Sequence, residues 1–224
     1  MSLYDRLLLP RIIDFVMRQK HLARYRAEVV GTARGRVLEI GVGSGLNLRY
    51  YGTDAESLIG LDPSPKLLDL ARERAVTAAM PVELIRGSAT AIPLADASVD
   101  TVVMTWTLCS IPDPGAALAE MRRVLKADGR LLFIEHGLAP EPSVERWQNR
   151  LTPLWRRIGG GCHLNRKMDA LMDAAGFDLP QLQTEYAPGP RPMSFMYRGC
   201  ACVRHSPRAA GYGASAAQQV LSAP

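Results

Sequence analysis

The 224-residue sequence predicts an α/β domain organised on a parallel sheet, and three observations predict it. Apolar runs of strand length alternate with segments of helical periodicity, the pattern of repeated strand–helix–strand units. The first run, Val37-Leu38-Glu39-Ile40, leads into glycines at alternate positions, Gly41, Gly43 and Gly45. A second run, Ser57 to Asp62, ends in an acid about twenty residues later. A hydrophobic content of 47% in a chain this long fits one large domain with a proper core.

Each element has its own signal. Asn47, Leu48 and Tyr50 read as the first turn of a short helix after the glycines. Beyond Asp62-Pro63-Ser64-Pro65, residues 66–76 have helical spacing, and Val82 to Arg86 alternates like a strand. Gly87-Ser88-Ala89-Thr90 forms a loop, and Asp100 to Thr105 a fourth strand. Residues 116–126 read as a helix stopped by Asp128-Gly129, and Arg130 to Glu135 as a fifth strand. Residues 142–158 are expected to be helical with a break at Pro153, and residues 165–175 a helix closed by Gly176. Leu182 to Tyr186 and Phe195 to Val203 read as a closing antiparallel hairpin. Residues 1–30 are expected to form a helical cap interrupted near Pro10, residues 31–205 the main domain, and residues 206–224, rich in Ala, Gly, Ser and Gln, a disordered tail.

The glycine stretch points to a ligand. Without a Cβ, the backbone turns sharply and a ligand can lie against it. A strand, a glycine turn and a helix start make a nucleotide-cofactor site at the carboxyl edge of a sheet. The pattern Glu39-x-Gly41-x-Gly43-x-Gly45 is not the dinucleotide spacing G-x-G-x-x-G, which argues against a dehydrogenase. A carboxylate two residues before the first glycine suits a positively charged cofactor, and S-adenosylmethionine carries an ammonium and a sulfonium. Asp62, ending the second strand, suits the ribose hydroxyls. The bland alternatives are a tight turn without ligand and a helix cap at Asp62.

Charge and cysteine usage narrow the class. Residues 1–36 hold eight basic and three acidic side chains, which equals the whole net charge of +5. The remaining chain is neutral, against a broad nucleic-acid surface. A basic N-terminal helix suits packing over the domain, a lid, or peripheral contact with an anionic membrane. No apolar run reaches the roughly 18 residues of a membrane span. Cys109, Cys162, Cys200 and Cys202 include no C-x-x-C pair, so reduced thiols, a cytoplasmic location and no metal site are expected.

Taken together, Glu39-x-Gly41-x-Gly43-x-Gly45, Asp62, the Gly87 loop with Ile92-Pro93-Leu94, and Val124-Leu125-Lys126 before Gly129 resemble a class I S-adenosylmethionine-dependent methyltransferase of the methyltransferase-11 or ubiquinone-methyltransferase-like group. The resemblance covers about residues 30–205. It implies a single Rossmann-like domain whose mostly parallel, seven-stranded sheet has an antiparallel last strand and helices on both faces. It implies S-adenosylmethionine as cofactor, held by Glu39, Gly41, Gly43, Gly45, Asp62, Pro63, Ser88, Ala89 and Thr105. Ser88 stands where the wider family often has Asp, which shifts the adenine contact to Ser88 or the Ala89 backbone. A narrower likeness, carried by Leu108-Cys109-Ser110, Glu135-His136, Trp155 and Gly161 to Arg166, is to small alkyl-thiol S-methyltransferases. Those relatives carry an N-terminal hydrophobic anchor and usually have Thr where Asn165 stands.

The acceptor expected on these grounds is a small apolar thiol, methylated on sulfur. An unperturbed thiol, with a pKa of about 8.5, is already a few per cent ionised at neutral pH and needs little help from a base. His136 and His163 are the candidate catalytic residues, with ordinary polar histidines as the alternative. Trp106 is expected against cofactor or substrate, or simply in the core. Cys109 is expected to line a pocket rather than act as a nucleophile, and Trp147, Leu151, Leu154 and Trp155 to form an apolar lid. Methylation of a quinone carbon or phospholipid nitrogen shares every cofactor motif, and a non-catalytic cofactor-binding regulator is the rival of another class.

Overall fold

The computed structural model describes residues 8–204; the expected tail lies outside them. Two short helices, α1 (Leu9–Met17) and α2 (Lys20–Val30), precede the alternating elements. These are β1 (Gly35–Ile40), β2 (Ala55–Asp62), α3 (Pro65–Ala75), β3 (Val82–Arg86), β4 (Val99–Thr105), α4 (Pro114–Val124), β5 (Leu125–His136), α5 (Pro142–Ile158), α6 (Met168–Ala174), β6 (Phe177–Tyr186), α7 (Arg191–Ser194) and β7 (Phe195–Val203). The sheet has seven strands in the order β3-β2-β1-β4-β5-β7-β6. The first five pair in parallel, while β7 runs antiparallel to both of its neighbours.

Strand periodicity sorts the core onto two faces. Leu38, Val102, Leu131 and Phe133 pack with Leu118 and Met121 of α4 and Met168 and Met172 of α6. Their neighbours Val37, Val103, Leu132 and Ile134 point the other way, onto Leu22, Tyr25, Val29 and Val30 of α2. So α2 packs over the domain as part of a core cluster.

Three local expectations are corrected. Helix α4 stops at Val124, and Asp128-Gly129 lies inside β5, where four residues bulge out between the pairs Val99–Leu125 and Thr101–Arg130. Pro153 does not break α5, which runs through it for 17 residues. Pro153 and Asn149 are both exposed, so the Asn149 carbonyl that loses its amide partner faces water. Strand β6 starts at Phe177 rather than Leu182, because Pro180 fits the irregular step between Asp178 and Gln181 on this edge strand.

Candidate active site

The carboxyl ends of β1, β2, β4 and β5 meet where strand order reverses on either side of β1, the usual ligand edge of such a sheet. The glycine loop leaves β1 there, with Gly41 and Gly45 donating their N–H to Leu61 and Val42 carbonyls. All three glycines have positive φ, 67°, 55° and 78°. Their surroundings differ. A Cβ on Gly41 would strike the Thr107 side chain, and one on Gly45 would meet Leu48 Cδ1 at 2.9 Å and Ala71 Cα at 3.1 Å. A Cβ on Gly43 would meet only the Gly41 carbonyl oxygen, at 3.8 Å. Packing therefore excludes a side chain at Gly41 and Gly45, and Gly43 fronts open space.

Asp62 is tied to this loop. Its Oδ2 accepts the Gly43 N–H at 3.0 Å and its Oδ1 the Ser64 N–H at 2.8 Å. The helix-cap alternative goes to Ser64 instead, whose Oγ accepts from the Leu67 N–H at the start of α3. Burial pushes the Asp62 carboxyl up, against the pull of those two backbone bonds. Pro63 is exposed beside it, and Ser88 and Ala89 follow the end of the adjacent strand β3. The Ser88 hydroxyl shares a 2.8 Å bond with Thr90.

Glu39, near the end of β1, is engaged by the chain's own donors. It is 1% exposed, and its two oxygens accept from Asn47 Nδ2 at 2.8 Å and the Tyr51 hydroxyl at 2.7 Å. Burial pushes its carboxyl up to about 7 against those hydrogen bonds. Asn47 also donates to Thr105 Oγ1 and accepts from Arg26 Nε at 2.9 Å. Arg26, on α2, is buried and stacks 4.7 Å from the centre of the Trp106 ring. One ring face is thus already covered by a cation. Trp106 has φ of 49°, a strained conformation for a bulky residue, and it redirects the chain where β4 ends.

The next segment is held from below by a buried acid. Glu135 accepts the N–H groups of Thr107 at 2.7 Å, Leu108 at 2.9 Å and Cys109 at 3.4 Å. Arg166 donates to the Leu108 and Ile111 carbonyls from the other side. His136 ends β5 with Nε2 2.9 Å from Cys162 Sγ. His163, the other expected catalytic residue, points its Nδ1 at the Cys109 carbonyl, 3.1 Å away. A carbonyl only accepts, so Nδ1 carries the proton, and His163 acts as a clamp on the loop. Burial and the neighbouring Arg166 hold its pKa below the usual value.

The expected apolar lid is also corrected. Trp147 and Leu154 are exposed, because α5 turns Val144, Gln148 and Thr152 inward. The Gln148 amide bonds the Gly137 and Pro192 carbonyls and the Ala139 N–H. Only Trp155 packs against the core from that set, with Leu151 half-buried. No helix among the described residues is long and apolar enough to cross a membrane.

The chain is similar to known proteins in the same terms. Residues 38–133 match the family described as "Methyltransferase domain". Thiol S-methyltransferase TMT1B of Rattus norvegicus is 35% identical over 158 residues, 69% of this chain and 64% of the relative, so the chain spans a little under two thirds of that protein. Phosphatidylethanolamine N-methyltransferase of Cereibacter sphaeroides is 33% identical over 137 residues, 57% of this chain and 67% of that one. The solved YcgJ protein of Bacillus subtilis superposes with a TM-score of 0.63 at 19% identity, covering 83% of this chain and 99% of its own, and shows the fold. From the glycine loop, the seven-stranded sheet and these likenesses, the chain belongs to the class I S-adenosylmethionine-dependent methyltransferases.

Proposed function

We propose that the chain methylates the sulfur of a small apolar thiol. The observation that carries this reading is what the acceptor edge offers for proton transfer. Glu135 is committed to three backbone N–H groups, and the His136 Nε2 meets a thiol rather than a carboxylate. No imidazole–carboxylate hydrogen bond that would make a strong base is formed at this edge by His136 or His163. A thiol demands the least of such machinery. The TMT1B relative, named a thiol S-methyltransferase, supports the same class.

The residues present fit the cofactor. The open space before Gly43 admits a ligand against the backbone, Asp62 beside it keeps lone pairs for two ribose hydroxyls, and Ser88 and Ala89 lie at the next strand end for the adenine. When bound, S-adenosylmethionine supplies an electrophilic methyl carbon on its sulfonium. The chain's own task is to align the acceptor and exclude water, with Glu135 and Arg166 fixing the loop that does so.

A second reading, N-methylation of an amino lipid, is favoured by the surface. Helix α1 exposes Ile12, Phe15 and Val16, Phe15 at 79%, and α5 exposes Trp147, Leu154 and Ile158 among arginines. Such faces suit peripheral contact with an anionic bilayer. Incubation with methyl-labelled cofactor and separate thiol, quinone and aminolipid panels decides between them. We expect label in a thioether. Label only in a quinone or lipid product moves the acceptor. Gly43→Val is expected to remove cofactor binding in calorimetry, and retained binding would mean the loop does not touch the cofactor.

A further inference from the structure

The strongest unassigned feature is a cluster at the acceptor edge. The Sγ atoms of Cys109 and Cys162 and a ring nitrogen of His136 all lie within 4.8 Å of one another. They come from three elements: the loop after β4, the end of β5 and the loop between α5 and α6. We propose that Cys109, Cys162 and His136 form a binding site for a zinc ion whose fourth ligand is the acceptor thiol. The site is a deepening of the thiol reading and rests on it.

The geometry and the donor set carry the inference. A tetrahedral zinc with bonds of about 2.3 Å to sulfur and 2.0–2.1 Å to nitrogen separates its donor atoms by roughly 3.5–3.8 Å. The three donor atoms lie within 4.8 Å of one another, with His136 Nε2 at 2.9 Å from Cys162 Sγ, so a small outward rotation of these side chains opens the zinc spacing. Their backbones are fixed independently of any ion. The Cys109 N–H is held by Glu135, and its carbonyl accepts both the N–H and the Nδ1 of His163. The Cys162 N–H bonds the Gly159 carbonyl, and His136 lies in register with Met196 of β7. Two thiols and an imidazole match the protein ligands of a zinc site that keeps one position for substrate. Among the described residues no fourth His, Cys, Asp or Glu joins the group.

The chemistry balances. The acceptor thiol binds as thiolate and gives its proton to solvent. Two cysteine thiolates and the acceptor thiolate leave the ion's site with one net negative charge, so the bound sulfur stays nucleophilic. Its electron pair forms the new sulfur–carbon bond to the methyl group. The carbon–sulfonium bond breaks, and that pair passes to the cofactor sulfur, which becomes a neutral thioether. The methylated product is a weak neutral ligand and gives way to water or the next thiol.

The test uses the full chain purified with a phosphine reductant that contains no thiol. Metal analysis is expected to find about one zinc per chain. Cobalt substitution should give a thiolate-to-cobalt charge-transfer band and tetrahedral ligand-field bands. Cys109→Ser and Cys162→Ser should each weaken zinc binding by more than roughly 100-fold, beyond the 10–100-fold loss typical of an outer partner. Cys200→Ser, on β7, should bind as the parent does. An alkyl thiol should shift the cobalt bands, and a quinone or amino lipid should not. A folded, reduced protein without zinc or a charge-transfer band overturns the site, even if it methylates thiols. Retention of the bands in Cys162→Ser, at 8% exposure against 2% for Cys109, overturns it too. Bands that do not respond to thiol overturn the role assigned to the fourth position, whatever the acceptor panels show.

Discussion

The two halves of the ligand edge are built differently. On the β1–β2 side the loop is shaped mostly by backbone: glycines at positive φ and amides donated to neighbouring carbonyls, with Asp62 tying Gly43 to the second strand and Asp14 and Arg74 holding Ser44. On the β4–β5 side the loop is shaped by charged side chains, one buried and one half-buried. Glu135 gathers three amides from one side, and Arg166 takes two carbonyls from the other. A backbone-built half suits a ligand that never changes, because it leaves few side chains to vary. A half held by remote side chains allows the lining of the loop to differ between acceptors while its path stays the same.

This comparison breaks most visibly at Glu135. Glu135→Ala would leave three N–H groups with no partner in the interior. At about 1–3 kcal/mol for each such group, with partial relaxation, the domain should lose roughly 3–5 kcal/mol in a denaturant titration. Hydrogen exchange should speed at residues 107–109 far more than at residues 41–47. Equal loss in both segments would mean that the halves are not separate constructions.

Next in size is Glu39, the buried acid under the cofactor half. Its folded pKa, pushed up to about 7 by burial, lies above that of the unfolded chain. The folded state therefore holds this proton more tightly. The stability this contributes is full below pH of about 4.5 and is lost as pH rises through about 7, on the order of 3 kcal/mol at most. Glu39→Gln keeps the side-chain shape, with the Tyr51 hydroxyl turning to accept, and carries no titrating proton. Urea midpoints of parent and variant should converge at pH 5 and separate at pH 8 in favour of the variant. A constant gap at both values would show that the carboxyl titrates normally.

The smallest effect sharpens the comparison instead. Asp62→Ala should weaken S-adenosylmethionine binding by about 1.5–3 kcal/mol, the scale of hydrogen bonds to a charged group. Calorimetry that finds unchanged affinity would leave Asp62 as a loop tie alone.

The same contrast explains what the sequence could convey. The cofactor half is contiguous: strand, glycines and acid fall within 27 residues, and each has a local conformational meaning. Even there, the partners of Glu39 are not legible, because Asn47 and Tyr51 lie beyond the glycines and Arg26 comes from another helix. The acceptor half is discontinuous. Cys109, His136 and Cys162 stand 27 and 26 residues apart, with no spacing that signals their meeting. The lid departs from expectation for a different reason. Helix α5 carries both an apolar stripe and a polar one, and the polar side of Gln148 is the one that three backbone groups require. Hydrophobicity alone points to the opposite face.

Arg26 leaves one practical consequence for anyone who wishes to re-engineer the amino terminus. Its guanidinium reaches from α2 to Asn47, one hydrogen bond from Glu39, and lies over Trp106. The leading helices therefore cannot be exchanged as a module with those of a relative unless the recipient brings its own cation to that spot. A chimera joined after residue 30 without an arginine there would strand an amide oxygen and uncover an aromatic ring in the middle of the ligand edge. Nor is α1 free to be exchanged alone, because its buried Asp14 accepts from the Ser44 hydroxyl in the glycine loop and pairs with Arg74 of α3.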